Sequence, residues 1–361
     1  ERDINKSIHY FTLAANQNHP IAQNNLGIIY YENKYIQHDT NKSIHYLTLA
    51  ANQNDLTAQN NLGFIYYEGK YIKQDINKSI HYFSLAANQN HAYAQYELGY
   101  IYIEGKYITR NINKSIHYFT LAANQKHPDA QFLLGCIYYE DKYIERDINK
   151  SIHYLTLASN QNHPHAQNNL GTVYYNGKYV TRDINKSIHY YTLAANQNHP
   201  EAQNELGIIY YNGEYIKQDI NKAIHYFSLA AKQNNPNAQI NLGTLYSKYF
   251  FSEKNMIKAI DYFIQSASNG NIYGNFKVGY FYHEGKYVER DIKKSIHHYK
   301  EASSFNNQYA KNNLGIIYKY GCGEEIPPNC GLSIAYFEEA IERFNDKVSM
   351  YNLSHIYIYE D

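Results

Sequence analysis

The chain has 361 residues, 44% of them hydrophobic, and 33 basic residues balance 33 acidic ones. That balance excludes the basic field a nucleic acid or an anionic membrane would select. Apolar runs such as "LGIIYY" are too short to span a bilayer, and three cysteines do not form a disulfide framework. Cys322 and Cys330 lie close in sequence, and a reduced pair is the expectation.

The chain counts 43 Tyr, 14 Phe, no Trp and two Met. Tyr, Asn, Ile and Lys share A/T-rich codons, so part of this skew reflects genome bias. The first residue is Glu1, not Met, and it falls inside a repeating unit. The expectation is a segment of a longer chain, from which a leader peptide could have been removed.

The first predicted element, called a B helix here, runs through "INKSIHYFTLAANQ" at about 3–17. Asp3 or Asn5 is its candidate N-cap. Ile8, Phe11 and Ala15 form one face, with Ser7 and Ala14 small beside it. Asn18 stops it, and Gly270 holds the equivalent place later; both residues tolerate the left-handed conformation. Pro20 then suits the start of the next helix, as do Pro128, Pro164, Pro200 and Pro236.

The second predicted element, an A helix, runs through "AQNNLGIIYYE". Ala22, Leu26 and Tyr30 line one face. Gly27 lies inside it, where glycine costs about 1 kcal/mol, and close approach of a neighbouring helix explains its recurrence. The stop falls at Asn33 and, in later units, at Gly69, Gly105, Asp141, Gly177, Gly213, Gly285 and Gly321. Tyr249 breaks this series.

These two elements recur through the chain. "LG" returns every 36 residues from Leu26-Gly27, continues as Val278-Gly279 and Leu314-Gly315, and reappears as Leu353-Ser354 after a longer loop at 321–331. A strict period of this size reads as a stacked solenoid. Residues 1–361 are expected to form a single array of about nine full repeats, starting at a B helix and ending at an A helix near 347–359.

The pattern A-x-x-x-L-G-x-x-Y, the glycine-containing loop and the later "AA-x-Q" resemble the Sel-one-like repeat, a relative of the tetratricopeptide repeat. The resemblance covers essentially the whole chain. It implies an all-α, right-handed α-solenoid of antiparallel helix pairs, with A helices lining the concave surface. It also implies a non-enzymatic adaptor or scaffold that binds a protein or peptide. The alternative is a regulatory array attached to a catalytic domain, such as a kinase, outside this segment. No cofactor is expected. A cytoplasmic location is expected, with the endoplasmic-reticulum lumen as the other possibility.

Chemical motifs do not survive inspection. "GFIYYEGKY" at 63–71 has five residues between its glycines, not four, and Tyr where a phosphate loop has Ser or Thr. His9, His45, His81 and their equivalents recur once per repeat, roughly 10 Å apart by helix packing, too far to share a metal ion. They read as a solvated face, and His19 reads as a surface residue at the interhelical turn. Acidification through about pH 6.5 would charge these histidines and is expected to alter solubility or binding near pH 5.5. "NKS" at 5–7 and its repeats match a glycosylation acceptor, but Ala223 and Ala259 take the Ser position, which marks it as a small packing position.

By analogy with tetratricopeptide repeats, positions equivalent to 21, 24, 28, 31 and 32 face outward from the A helices. The candidate partner-binding residues there are Tyr96, Tyr100, Phe132 and Tyr139, with a second patch at Phe276 and Tyr280. Positions equivalent to 24 and 28 carry no Lys or Arg, so no basic clamp for a carboxylate terminus is expected. Apolar contacts or Asn hydrogen bonds should hold the partner instead.

Overall fold

A computed structural model describes residues 4–32, 37–250 and 252–359. The described residues form twenty α-helices and no strand. Odd-numbered helices are the B helices, from α1 (Ile4–Asn16), and even-numbered ones the A helices, from α2 (Pro20–Glu32). The fold is an all-α solenoid of antiparallel helix pairs.

Each B helix whose start is described begins where a short acceptor side chain satisfies a free backbone N–H. Asp39 Oδ1 accepts from the Lys42 amide at 3.0 Å before α3 (Thr40–Asn52). Asp75, Asn111 and Asp147 do the same before α5 (Ile76–Asn88), α7 (Ile112–Asn124) and α9 (Ile148–Asn160). This is the register of Asp3, so of the two candidates the Asp3 register caps and the Asn5 register lies inside the first turn. Asp3 itself, and the expected stop at Asn33, lie outside the described residues. The B helices end as the sequence suggests. Asn18, Asn54 and Asn90 take φ near 60°, and even Lys126 is held at 64° in that register.

The A helices end mostly at a left-handed glycine, with Gly69 at φ 61° and Gly105 at 63°. Asp141 does not join that series. Helix α8 (Pro128–Tyr139) stops early, and extended Glu140 follows as its cap. Gly321 also departs from the left-handed cap, with ψ 178°.

Two compact units divide the chain: residues 1–173 with 177–181, and residues 174–176 with 182–361. Within each unit consecutive helices pack against one another, and the A helix of one repeat lies against the following B helix. The mid-helix glycine permits that approach. A Cβ built on Gly99 would sit 2.6 Å from the Phe119 ring, and one on Gly63 would sit 2.5 Å from Phe83. The Ser of "NKS" sits at this contact, and it bonds the glycine carbonyl at Ser115 and Ser151, while Ser43 and Ser79 Oγ are buried without a partner among the described residues. Ser115 Oγ donates to the Gly99 carbonyl at 2.8 Å, and Ser151 Oγ to that of Gly135 at 2.7 Å. Both serines are fully buried, as the small packing position requires.

Two sets of side-chain contacts recur along the array and join successive helices. Buried Gln95 donates to the Ala87 carbonyl at 3.1 Å, and Gln125 of the next B helix donates to Gln95 at 2.7 Å. The set Gln53, Gln23 and Ala15 repeats it in the same unit, as does Gln233, Gln203 and Ala195 in the other. The helix-end carbonyl already accepts a backbone N–H, as Ala87 does from Asn90 at 3.0 Å, so each pair adds a second donor there and gives the buried glutamine amide its own partners. In the last repeats the position becomes Lys311, 2% exposed, and its Nζ meets Glu339 at 2.5 Å.

The second set is aromatic. Tyr66 stacks on Tyr82, ring centroids 5.8 Å apart, while the Lys78 ammonium lies 5.0 Å from the Tyr66 ring. The same stack joins Tyr102 to Tyr118 and Tyr138 to Tyr154. Much of the tyrosine content is therefore structural, a role that codon bias alone does not supply.

Candidate functional site

Helix α6 (Ala92–Glu104) carries Tyr96 and Tyr100, and α8 carries Phe132 and Tyr139. Both belong to the first unit. Position 24 differs from its expected outward orientation. Asn24 and Asn60 are buried there, and Tyr96 and Phe132 are half-buried. The physical reason is that this position faces the next A helix: Asn61 Nδ2 donates to Asn24 Oδ1 at 3.0 Å. Tyr100 is exposed and its ring lies 6.5 Å from that of Tyr96. Tyr139 is half-buried and meets Tyr179 edge-on at 5.9 Å.

The other two candidates lie in the second unit, on α16 (Ile272–Glu284). Phe276 packs among Tyr273, Tyr299 and Tyr309, centroids 5.8 to 6.0 Å away. Tyr280 is exposed and edge-on to Phe281.

Histidines hold the aromatic rings of the first patch. Tyr96 lies flat on His127, with centroids 4.7 Å apart and planes 12° from parallel. Phe132 stacks on His163 at 4.6 Å. These histidines belong to the register of His19, which sequence reasoning treated as a surface position. Their Nδ1 atoms instead cap A helices: His127 accepts from the Ala130 amide at 3.3 Å and His163 from Ala166 at 3.2 Å. His127 is only 5% exposed. The signal was present in the sequence, because Asp55 and Asn235 in the same register are N-cap residue types. The other ladder, His9, His45, His81 and their equivalents, is exposed as expected.

Burial sets the electrostatics of this face. It lowers the His91, His127 and His163 pKa values below the usual imidazole range, and Asp129 near the last two opposes it without winning. It pushes the Tyr96 hydroxyl up to about 12, with smaller help from Asp129 and Glu97. Burial alone raises Glu97 to about 7. The Cys136 thiol is pushed up to about 12, so it is a neutral wall and not a nucleophile. Among the described residues no three His, Cys, Asp or Glu side chains are grouped to hold a metal ion. No described helix is long and apolar enough to cross a membrane.

A recess of about 230 Å3 opens beside Tyr139, lined by Cys136, Tyr139, Glu140, Leu155, Asn169, Thr172 and Val173. Sequence reasoning did not find it.

The Sel1 repeat model matches ten successive segments, at residues 1–19, 20–55, 56–91, 92–127, 128–163, 164–199, 200–235, 236–271, 272–304 and 308–343. The chain belongs to the Sel1 repeat family. No curated protein sequence matches it. Among solved structures it is similar to c5321, a protective antigen of uropathogenic Escherichia coli strains with an SLR fold. That match has TM-score 0.81 and 26% identity, over 96% of this chain and 74% of that one. It is also similar to a Sel1 repeat protein from Oxalobacter formigenes, at TM-score 0.72 and 27% identity over 86% of this chain and 89% of that one. Sel1 repeat proteins are generally protein-interaction scaffolds.

Proposed function

We propose that this Sel1 repeat array is a scaffold or adaptor that holds a peptide or partner protein on its A-helix face. Tyr96, Tyr100, Phe132 and Tyr139 are its principal contacts, and Phe276 with Tyr280 forms a second patch. The observation that supports this most is the stack of Tyr96 on the capping His127, beside exposed Tyr100. Aromatic anchors contribute most when their rotamers are fixed before the partner arrives. Tyr96 and Phe132 are fixed in this way, by residues that also start the next A helix. The contacts offered are rings and amides, without a basic clamp.

Affinity capture tests this. The unaltered array should retain a protein that the Tyr96→Ala/Tyr100→Ala/Phe132→Ala variant loses, with helical circular dichroism preserved. Equal capture by a folded variant dismisses this face. Tyr100→Ala alone, at an exposed position, gives the same reading without disturbing the His127 stack.

A further inference from the structure

The B-helix residue that packs beneath each A-helix glycine is aromatic in most repeats, as at Phe83, Phe119, Phe227, Phe263 and Tyr299. It is leucine at Leu47 and Leu155. A recess opens at each leucine, between the A helices on either side. The one at Leu155 measures about 230 Å3, between α8 and α10 (Pro164–Asn176). The one at Leu47 measures about 180 Å3, between α2 and α4 (Leu56–Glu68). A cavity of about 150 Å3 admits a benzene molecule, so each recess has room for one side chain.

The chemistry of the Leu155 recess is asymmetric. Leu155 and Val173 make its floor apolar. Asn169 Nδ2 donates to Cys136 Sγ at 3.5 Å. Glu140 stands exposed at the mouth. In two earlier repeats the equivalent glutamate is held by a tyrosine one repeat back: Tyr31 donates to Glu68 at 2.8 Å and Tyr67 to Glu104 at 3.1 Å. The tyrosine that would hold Glu140 is replaced by Ile103, which has no hydroxyl. Among the described residues the Glu140 carboxylate forms no hydrogen bond and no ion pair.

No Lys, Arg or His lines the recess. Arg146, six residues further on, is engaged elsewhere. Its Nε donates to the Tyr139 carbonyl at 2.6 Å, and its guanidinium lies 4.3 Å from the Tyr179 ring.

We infer that the Leu155 recess is a pocket for one lysine or arginine side chain of a partner protein. The methylene stem lies on Leu155 and Val173, and the charged head reaches the Glu140 carboxylate beside the Tyr139 ring. Long cationic side chains bury their stems and keep their heads paired in this manner, and the protein seats its own Arg146 over a tyrosine. This inference rests on the scaffold reading and adds a side-chain chemistry to it.

The test titrates the isotope-labelled 361-residue array with N-acetyl-arginine amide, N-acetyl-lysine amide and the uncharged N-acetyl-norleucine amide, read by NMR. The cationic amides should shift the Thr172 and Val173 methyls at lower concentration than norleucine amide does, and salt should weaken them. Leu155→Phe should abolish the shifts; phenylalanine already occupies this position in other repeats, so the variant keeps the fold. Glu140→Gln should weaken the arginine probe about threefold and leave norleucine amide unchanged. The assignment is overturned if norleucine amide binds as tightly, if Glu140→Gln has no effect, or if no probe shifts these methyls. Any of these failures leaves capture through Tyr100 and Phe132 standing, and that reading fails separately through its own variants.

Discussion

The imidazole of His127 does two things at once: Nδ1 accepts the Ala130 amide at 3.3 Å, and the ring face lies on Tyr96 at 4.7 Å. Only the neutral ring can accept at Nδ1. The cap therefore depends on the neutral ring, and the cap in turn holds in place the ring face on which Tyr96 lies.

Acid should weaken the first unit through these caps. The pKa values of His91, His127 and His163 are lowered in the fold. Above about pH 6.5 the histidines are neutral in both folded and unfolded chains, and their contribution to stability is complete. As pH falls below that, the unfolded chain takes up protons that the folded one resists, and stability declines towards the lower folded values. Urea midpoints at pH 7.5 and 5.5 check this. A His91→Asn/His127→Asn/His163→Asn variant should lose much of the difference, because Asn235 already caps the same register.

Single substitution at His127 should show a second effect. Its Nε2 is buried without a hydrogen-bond partner among the described residues. His127→Asn keeps a cap acceptor and removes that donor, so stability at pH 7.5 should hold or rise. His127→Ala removes the cap and should cost about 1 kcal/mol.

Glu97 has the opposite pH sign. Its carboxyl is raised to about 7 by burial. Its stabilising share is complete below the unfolded value near 4.3 and is lost as pH rises to about 7. Glu97→Gln should therefore gain about 1–2 kcal/mol at pH 8 and little at pH 4. Denaturation curves at the two pH values measure it.

Gly99→Ala should destabilise by about 1–3 kcal/mol, since the new methyl group would meet the Phe119 ring at 2.6 Å. On an isolated helix the same change would stabilise by up to about 1 kcal/mol. The measured sign therefore decides whether packing or helix propensity governs this glycine.

The repeat, both helix types, most of their stops and the packing serine could be read from the sequence, because each follows from residues fixed at one register; the stop expected at Asp141 could not, since α8 ends earlier, with Glu140 as its cap. Gly27, Ser43 and Asn54 are local signals with one physical meaning. Ring stacks such as Tyr96 on His127 were not legible, because they join residues 31 positions apart through the stacking of repeats. The burial of position 24 was missed because an Asn–Asn bond between A helices leaves no trace in hydropathy. The Leu155 recess was legible only as a difference, a leucine where other repeats have a ring, and its meaning needed the neighbouring helices.

The glutamine joints carry a consequence for how such a chain can change. Gln53 with Gln23, and Gln89 with Gln59, make the same joint one period apart. Removing or duplicating a whole 36-residue unit between them would rejoin the same glutamine contacts, so recombination could shorten or lengthen this stretch without redesigning that joint. The pairing of Lys311 with Glu339 is different: it fits only its own neighbour, and it fixes the order of the final repeats while the earlier ones remain interchangeable.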